Sequence, residues 1–204
     1  MLLYNAPDPA PNPRRVRLFL AEKDIDIPMR DLAIVKREQK APEFLEKNPA
    51  GQLPALELDN GAVIAESISI CRYLEALHPE PPLFGSTPEE MARIDMWLRR
   101  VENMLMVPVG MVWIHSHPLT AGLGHQFTDF GEASKERATK AMHWFDARLE
   151  GAGYLAGERY SMADIVLLTT VDFARWIGLD MPGNAANLHD WHGRVSARES
   201  VQRA

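Results

Sequence analysis

Between Asn48 and Glu75 the chain reads NPAGQLPALELDNGAVIAESISICRYLE, and few folds accept that order of signals. Turn formers Asn48, Pro49 and Gly51 lead into Gln52-Leu53-Pro54. A short apolar run, Ala55 to Leu58, follows, and the chain returns along Gly61 to Ile64. Asp59-Asn60-Gly61 between two such runs predicts a β-hairpin. Glu66-Ser67 then opens an amphipathic helix whose inner face is predicted to carry Ile70, Cys71, Leu74 and Leu77.

That stretch carries chemistry as well as shape. A proline inside a turn just before a strand is a natural place for a cis bond. At Leu53-Pro54 it would turn the backbone N–H and C=O of Leu53 outward, free to pair with an extended peptide. Ser67 near a helix start offers a hydroxyl beside unpaired N–H donors, and such an end binds carboxylates. Together these features suit a small peptide with a free carboxylate.

The 204 residues, 46% of them hydrophobic, suffice for one large domain or two small ones. A net charge of −6, from 22 basic and 28 acidic residues, argues against nucleic acid as a partner. No apolar run reaches transmembrane length, and MLLYNAPDPAP lacks a basic region followed by an apolar one, so no membrane partner is expected. The single cysteine excludes an internal disulfide framework and suits a reducing cytoplasm.

Leu2-Leu3-Tyr4 reads as a first strand, followed by a proline-rich loop. Asn12-Pro13 is expected to start a helix, with Asn12 as N-cap, and Val16, Phe19 and Leu20 form its buried stripe. Ile27 to Leu32 is a predicted strand and Pro42 to Lys47 a short helix. The order is β-α-β-α-β-β-α, with a parallel crossover first and a hairpin later. Residues 1 to 80 are read as one α+β domain, 81 to 85 as a proline-rich linker and 86 to 204 as an all-α domain. In that second part a long helix starts at Pro88-Glu89-Glu90, is expected to kink at Pro108, and ends within Ser116 to Gly124. Glu132 to Leu149 is another helix, and Ser161-x-x-Asp164 caps a third with the apolar run Ile165 to Leu168.

GQLPALELDNG…IAES…I..YLE resembles the thioredoxin-like domain of cytosolic glutathione transferases. NPRRVRLFLAEK resembles the first helix of that family, and YSMADI the capped helix of its second domain. Three motifs in the family's order span the whole chain. The resemblance implies a thioredoxin-like glutathione-binding domain, an all-helical domain completing an electrophile pocket, a homodimer, a cytoplasmic location and a role in detoxification. It implies glutathione as co-substrate and no metal.

Site residues carry over position by position. Glutathione would meet Asn12, Gln39, Lys40, Gln52, Leu53, Pro54, Glu66 and Ser67. Glu66 would face the γ-glutamyl ammonium and Ser67 its carboxylate, while Gln39 and Lys40 would hold the glycine carboxylate. The family's usual activating Ser, Cys or Tyr falls at Ala10-Pro11-Asn12, none of which has a hydroxyl or thiol. Tyr4 is the nearest hydroxyl, and it reads as a packed strand residue.

Asn12 is the better activator, at a helix N-terminus. Such an end stabilises an anion by roughly 0.3–1 kcal/mol, up to ~2 when partly buried. A charged hydrogen bond adds about 1.5–3 kcal/mol. That is enough to bring a free thiol, which titrates near about 8.5, toward neutrality. The Pro-Asn pair also resembles that of Nu-class and related bacterial transferases.

His115 and His117 form a second cluster, with Met111 and Trp113, where the family places its apolar substrate site. His115 is a second catalytic candidate, acting through a water or orienting the electrophile. A metal reading of H-x-H fails for want of a third ligand at helical spacing. Met104 and Met106 extend the same stripe, which serves equally as core or dimer interface. Cys71 reads as a small buried hydrophobe. The expected reaction is attack of the glutathione thiolate on a small apolar electrophile. Two other readings stay open: glutathione-dependent disulfide reduction, and a non-catalytic binding module on the same fold.

Overall fold

A computed structural model describes residues Met1–Ala204. The chain divides into two compact units, Met1–Leu83 with Glu199–Ala204, and Phe84–Arg198. The tail thus groups with the first unit, whereas the sequence reading put all of 86 to 204 in the second. The short helix Glu199–Arg203 lies against the first helix, where Arg203 donates to the Ala21 carbonyl at 2.8 Å.

In the first unit the order is β1 (Leu2–Asn5), α1 (Pro11–Lys23), β2 (Met29–Asp31), α2 (Pro42–Leu45), β3 (Ala55–Glu57), β4 (Val63–Ala65) and α3 (Ser67–Leu77). Two 3-10 turns, Ile34–Lys36 and Glu38–Lys40, precede α2. The sheet runs β2-β1-β3-β4, with β1 parallel to β2 and the other two pairs antiparallel. This is the predicted thioredoxin-like βαβαββα arrangement. The hairpin closes where Asp59-Asn60-Gly61 predicts it, with Gly61 N–H donating to the Leu58 carbonyl at 2.9 Å.

Leu3, Val16, Phe19, Leu56, Ile70, Cys71 and Leu74 are buried between the sheet and α1 and α3. Leu77, expected on that face, is half exposed, because it ends α3 and has no further turn to pack beneath it. Burial pushes the Cys71 thiol well above its ordinary value, which fits an inert hydrophobe. β2 is shorter than Ile27 to Leu32 because only Met29–Asp31 finds a partner in β1. The buried Lys23 ammonium meets Glu75 Oε2 at 2.7 Å and the carbonyls of His78 and Pro81 at 2.6 and 2.7 Å. Two hydrogen bonds and one ion pair thus compensate the buried charge and tie α1 to the end of α3.

The second unit is all helical: α4 (Pro88–Arg100), α5 (Val107–Ser116), α6 (Thr128–Leu149), α7 (Met162–Trp176) and α8 (Ala186–Ser196). Between α4 and α5 the chain forms a π-helical stretch, Val101–Met106, in place of a simple kink. Pro108 has no N–H to offer and its ring crowds the carbonyl one turn back, so the turn before it widens. α7 is buried from Met162 to Val171 on every side, as its continuous apolar run requires.

The capping box at its start is more elaborate than Ser161-x-x-Asp164 implies. Asp164 Oδ2 accepts from the Ser161 N–H at 3.0 Å and its hydroxyl at 3.1 Å. Oδ1 accepts from the Leu155 N–H at 2.9 Å and the Trp191 indole at 3.0 Å. One carboxylate therefore joins α7, the loop before it and α8. No helix is long and apolar enough to cross a membrane.

Candidate functional site

The strand directions gather the site. β1 and β2 run parallel, and β3 opposes β1 with Tyr4 beside Ala55. Ala55 pairs Ala65 across the hairpin, so Leu53-Pro54 lies just beyond the last pair, opposite Glu66-Ser67. The C-terminal ends of β1, β2 and β4 and the start of β3 therefore share one end of the sheet. α1 and α3 both begin there, and the turns bearing Gln39 and Lys40 leave β2 from the same end. Expected glutathione residues scattered over 56 positions of sequence, Asn12 to Ser67, thus converge by topology alone.

At α3 the geometry suits an anion. Ile70 N–H donates to the Glu66 carbonyl at 3.0 Å, which leaves the N–H groups of Ser67, Ile68 and Ser69 without partners in the chain. Ser67 is buried and its hydroxyl is unpaired. Glu66 sits at φ 66° and ψ 119°, a backbone state disfavoured for any residue with a Cβ, and its exposed carboxylate makes no ion pair. Holding it there costs about 1–3 kcal/mol, and such strain is characteristic of working sites.

The Leu53-Pro54 bond is cis. The Leu53 side chain packs on the cluster of Tyr4, Leu32, Phe44 and Ala55, while its backbone N–H and C=O have no partner in the chain. An extended peptide can pair with them as an added strand.

α1 corrects two expectations. The helix begins at Pro11, so Asn12 is its second residue and Ala10 is the N-cap. The end is also poor in backbone donors. Pro11 and Pro13 have no N–H, and Arg14 N–H donates to the Ala10 carbonyl at 3.3 Å. Only the Asn12 N–H remains free, and α1 offers one donor where α3 offers three. The Asn12 amide supplements it: Oδ1 is buried without a partner and the amide nitrogen is also unpaired.

Tyr4 is occupied elsewhere. Its hydroxyl donates to Glu57 Oε2 at 2.7 Å, and Lys47 donates to Glu57 Oε1 at 2.7 Å. Burial and the Glu57 carboxylate hold the phenol above its ordinary pKa. The same contacts lower Glu57, chiefly through Lys47, and raise Lys47, chiefly through Glu57. A protonated phenol committed to a carboxylate is no thiol activator.

Gln39 and Lys40 occupy the second 3-10 turn. Lys40 Nζ donates to the Ala50 carbonyl at 2.9 Å, and Gln39 Oε1 is buried without a partner. Asn48, read in the sequence only as a turn former, is buried and donates through Nδ2 to the Gln52 carbonyl at 2.8 Å. The Asn-Pro-x-Gly spelling was its only signal.

In the second unit the two histidines part company. His117 packs against Trp113 at 4.6 Å and stacks on Trp176 at 5.8 Å. His115 lies instead against Phe127 and Phe130, at 5.6 and 5.5 Å. The cause is their spacing of two on α5 and its end, which aims them apart. Trp176 was missed by the sequence reading; Phe173 and Trp176 extend the Trp113 cluster at 5.8 and 5.4 Å. His115 Nδ1 accepts from the Phe127 N–H at 3.4 Å and His117 Nδ1 from the Leu119 N–H at 3.3 Å. Each neutral ring therefore carries its proton on Nε2, as a donor. Met111 is half-buried on α5.

Comparison with known proteins bears on the whole chain. Residues 10–77 match the family model for the glutathione S-transferase N-terminal domain, and residues 115–199 that for the C-terminal domain. Glutathione S-transferase 2 of Saccharomyces cerevisiae is 38% identical over 210 residues, covering 100% of this chain and 88% of that protein. The crystal structure of Gtt2 from Saccharomyces cerevisiae superposes with a TM-score of 0.92, at 38% identity, over 100% of this chain and 99% of that one. A glutathione S-transferase domain-containing protein from Marinobacter aquaeolei VT8 superposes with a TM-score of 0.92, at 36% identity, over 98% of this chain and 100% of that one. With its fold, both family models and full-length similarity in agreement, the chain belongs to the glutathione S-transferase family of enzymes.

Proposed function

We propose that the protein conjugates the glutathione thiolate to small apolar electrophiles. The observation that carries this reading is the α3 end: three free N–H groups, the unpaired Ser67 hydroxyl and the unpaired Glu66 carboxylate, beside the open backbone of Leu53. That set complements a peptide with an amino-acid head. Ser67 and the helix end take the γ-glutamyl carboxylate, and Glu66 takes its ammonium. Leu53 pairs with the cysteinyl backbone, held in line by Gln52 and Pro54. Lys40 and Gln39 receive the glycine carboxylate.

The Asn12 N–H and amide nitrogen then donate to the sulfur and favour its ionised form, the proton passing to solvent. The thiolate attacks an electrophilic carbon, a C–S bond forms, and the leaving group departs with its electron pair. Met111, Trp113 and His117 supply apolar and aromatic surface for the electrophile. His115 acts through Nε2–H, donating to a water or to developing negative charge. The work of the protein is orientation and charge stabilisation. We place the enzyme in the cytoplasm as a homodimer with a detoxifying role.

The test pairs two assays, conjugation of a chloronitrobenzene and reduction of a small disulfide, each with glutathione. Conjugation is the expected activity. Reduction without conjugation would replace this reading with a disulfide reductase, and neither activity would leave a binding module. In calorimetry, Ser67→Ala should weaken glutathione by about 1–3 kcal/mol, since a carboxylate loses one donor. Unchanged affinity would remove Ser67 from the site.

A further inference from the structure

The turn from Asn48 to Gln52 touches two parts of the site at once. Gly51 N–H donates to the Asn48 carbonyl at 2.8 Å, and Asn48 Nδ2 donates to the Gln52 carbonyl at 2.8 Å. The second bond fixes the peptide unit directly before Leu53. Asn48 is 6% exposed, so that donor is shielded from water and its bond is not readily exchanged.

Gly51 adopts φ 57°, and the Lys40 side chain lies across it on its way to the Ala50 carbonyl. A Cβ on Gly51 would come within 2.8 Å of Lys40 Cδ, Lys40 Nζ and Leu45 Cδ2. All three atoms belong to flexible side chains, so a methyl there displaces the Lys40 ammonium, and at this φ it strains the turn as well.

We propose that Asn48 and Gly51 are positioning residues for the glutathione site. Through one turn, Asn48 sets the Leu53 backbone and Gly51 sets the Lys40 ammonium. The site thereby distinguishes the tripeptide from a γ-glutamylcysteine that lacks the terminal glycine. This rests on the glutathione reading above. The two residues act on different ends of the ligand: Asn48 serves the cysteinyl segment, which both peptides share, and Gly51 serves the glycine carboxylate, which only glutathione has.

Calorimetry with glutathione and with γ-glutamylcysteine tests this on Asn48→Ala, Gly51→Ala and Lys40→Met. Lys40→Met should weaken glutathione roughly twofold to fivefold, as for an exposed ion pair, and leave γ-glutamylcysteine unchanged. Gly51→Ala should show the same selectivity and add no further loss on the Lys40→Met background. Asn48→Ala should weaken both peptides equally, by roughly twofold to tenfold, the value of one hydrogen bond. If Asn48→Ala does not fold, Asn48→Asp is read instead; it keeps the size but turns an acceptor toward the Gln52 carbonyl.

Gly51→Ala weakening both peptides alike, or neither, overturns the assignment of Gly51. An Asn48 variant that binds both as the wild type does overturns that of Asn48. Failure of the underlying glutathione reading appears separately, as wild-type protein that does not bind glutathione or a Ser67→Ala variant that binds it unchanged.

Discussion

Asp164→Ala should be among the costliest single substitutions in the helical unit. The carboxylate is fully buried and accepts four hydrogen bonds, from the Leu155 and Ser161 N–H groups, the Ser161 hydroxyl and the Trp191 indole. The hydroxyl can rotate to another acceptor; the three N–H donors cannot. Each orphaned buried donor costs about 1–3 kcal/mol, which bounds the loss at roughly 3–9 kcal/mol. Relief from desolvating a buried carboxylate offsets part of it. We expect a loss of about 4 kcal/mol. For a chain of this size that lowers Tm by roughly 8–16 °C, at about 2–4 °C per kcal/mol.

Asp164→Asn separates charge from connectivity. Its carbonyl can still accept from Leu155 and Trp191, while its amide nitrogen confronts the Ser161 N–H, a loss of about 1–3 kcal/mol. Ser161→Ala removes only the hydroxyl and should cost about 0.5–2 kcal/mol. Thermal melts followed by far-ultraviolet circular dichroism rank the three, with glutathione affinity measured below the transitions expected to stay at the wild-type value. An Asp164→Ala protein melting within about 3 °C of wild type, or above Asp164→Asn, would overturn this account, because the donors would then have found other partners.

The thiol activator can be read from the ultraviolet absorbance of bound thiolate against pH. Asn12→Ala should raise the pKa of the bound thiol by up to about two, the value of one charged hydrogen bond, and Tyr4→Phe should leave it in place; the opposite pattern would reverse the assignment. Glu90, held by the Ser86 N–H and hydroxyl and by Arg159, has its carboxyl lowered to about 2. A lowered acid stabilises the fold above its unfolded pKa and loses that effect as pH falls toward the folded value. The Tm gap between wild type and Glu90→Gln should therefore be full above pH about 4.5 and close toward pH about 2; a gap that does not change with pH would assign the role of Glu90 to packing.

Much of the fold was legible because its signals are local. Asp59-Asn60-Gly61, Ser161-x-x-Asp164 and the periodic Ile70, Cys71 and Leu74 each specify backbone through neighbours a few residues away, and all three features form as read. Asn12 shows where local reading stops. As a residue type it is a good N-cap, yet Pro11 is already prepared for the first helical position, and the helix starts two residues earlier than an Asn12 cap would set it. The consequence, a helix end stripped to one free N–H by two prolines, could have been counted from the sequence only once the start was known.

The histidines diverged because side-chain direction follows from position on α5 and from which helix packs beside it, neither of which spacing alone reports. The set of elements, their order, and the residue types suited to a carboxylate-bearing peptide are all written in the amino-acid order. Which of those residues meet is settled by folding. Strand direction brings Asn12, Lys40, Leu53 and Ser67 to one end of the sheet, buries Tyr4 against Glu57, and recruits Asn48 and Gly51 to the site. The difference is one of range. Turns, caps and helical periodicity are settled by atoms nearby in the chain, whereas a binding site is settled by hydrogen bonds and contacts between residues far apart in sequence, whose register exists only after the sheet has formed.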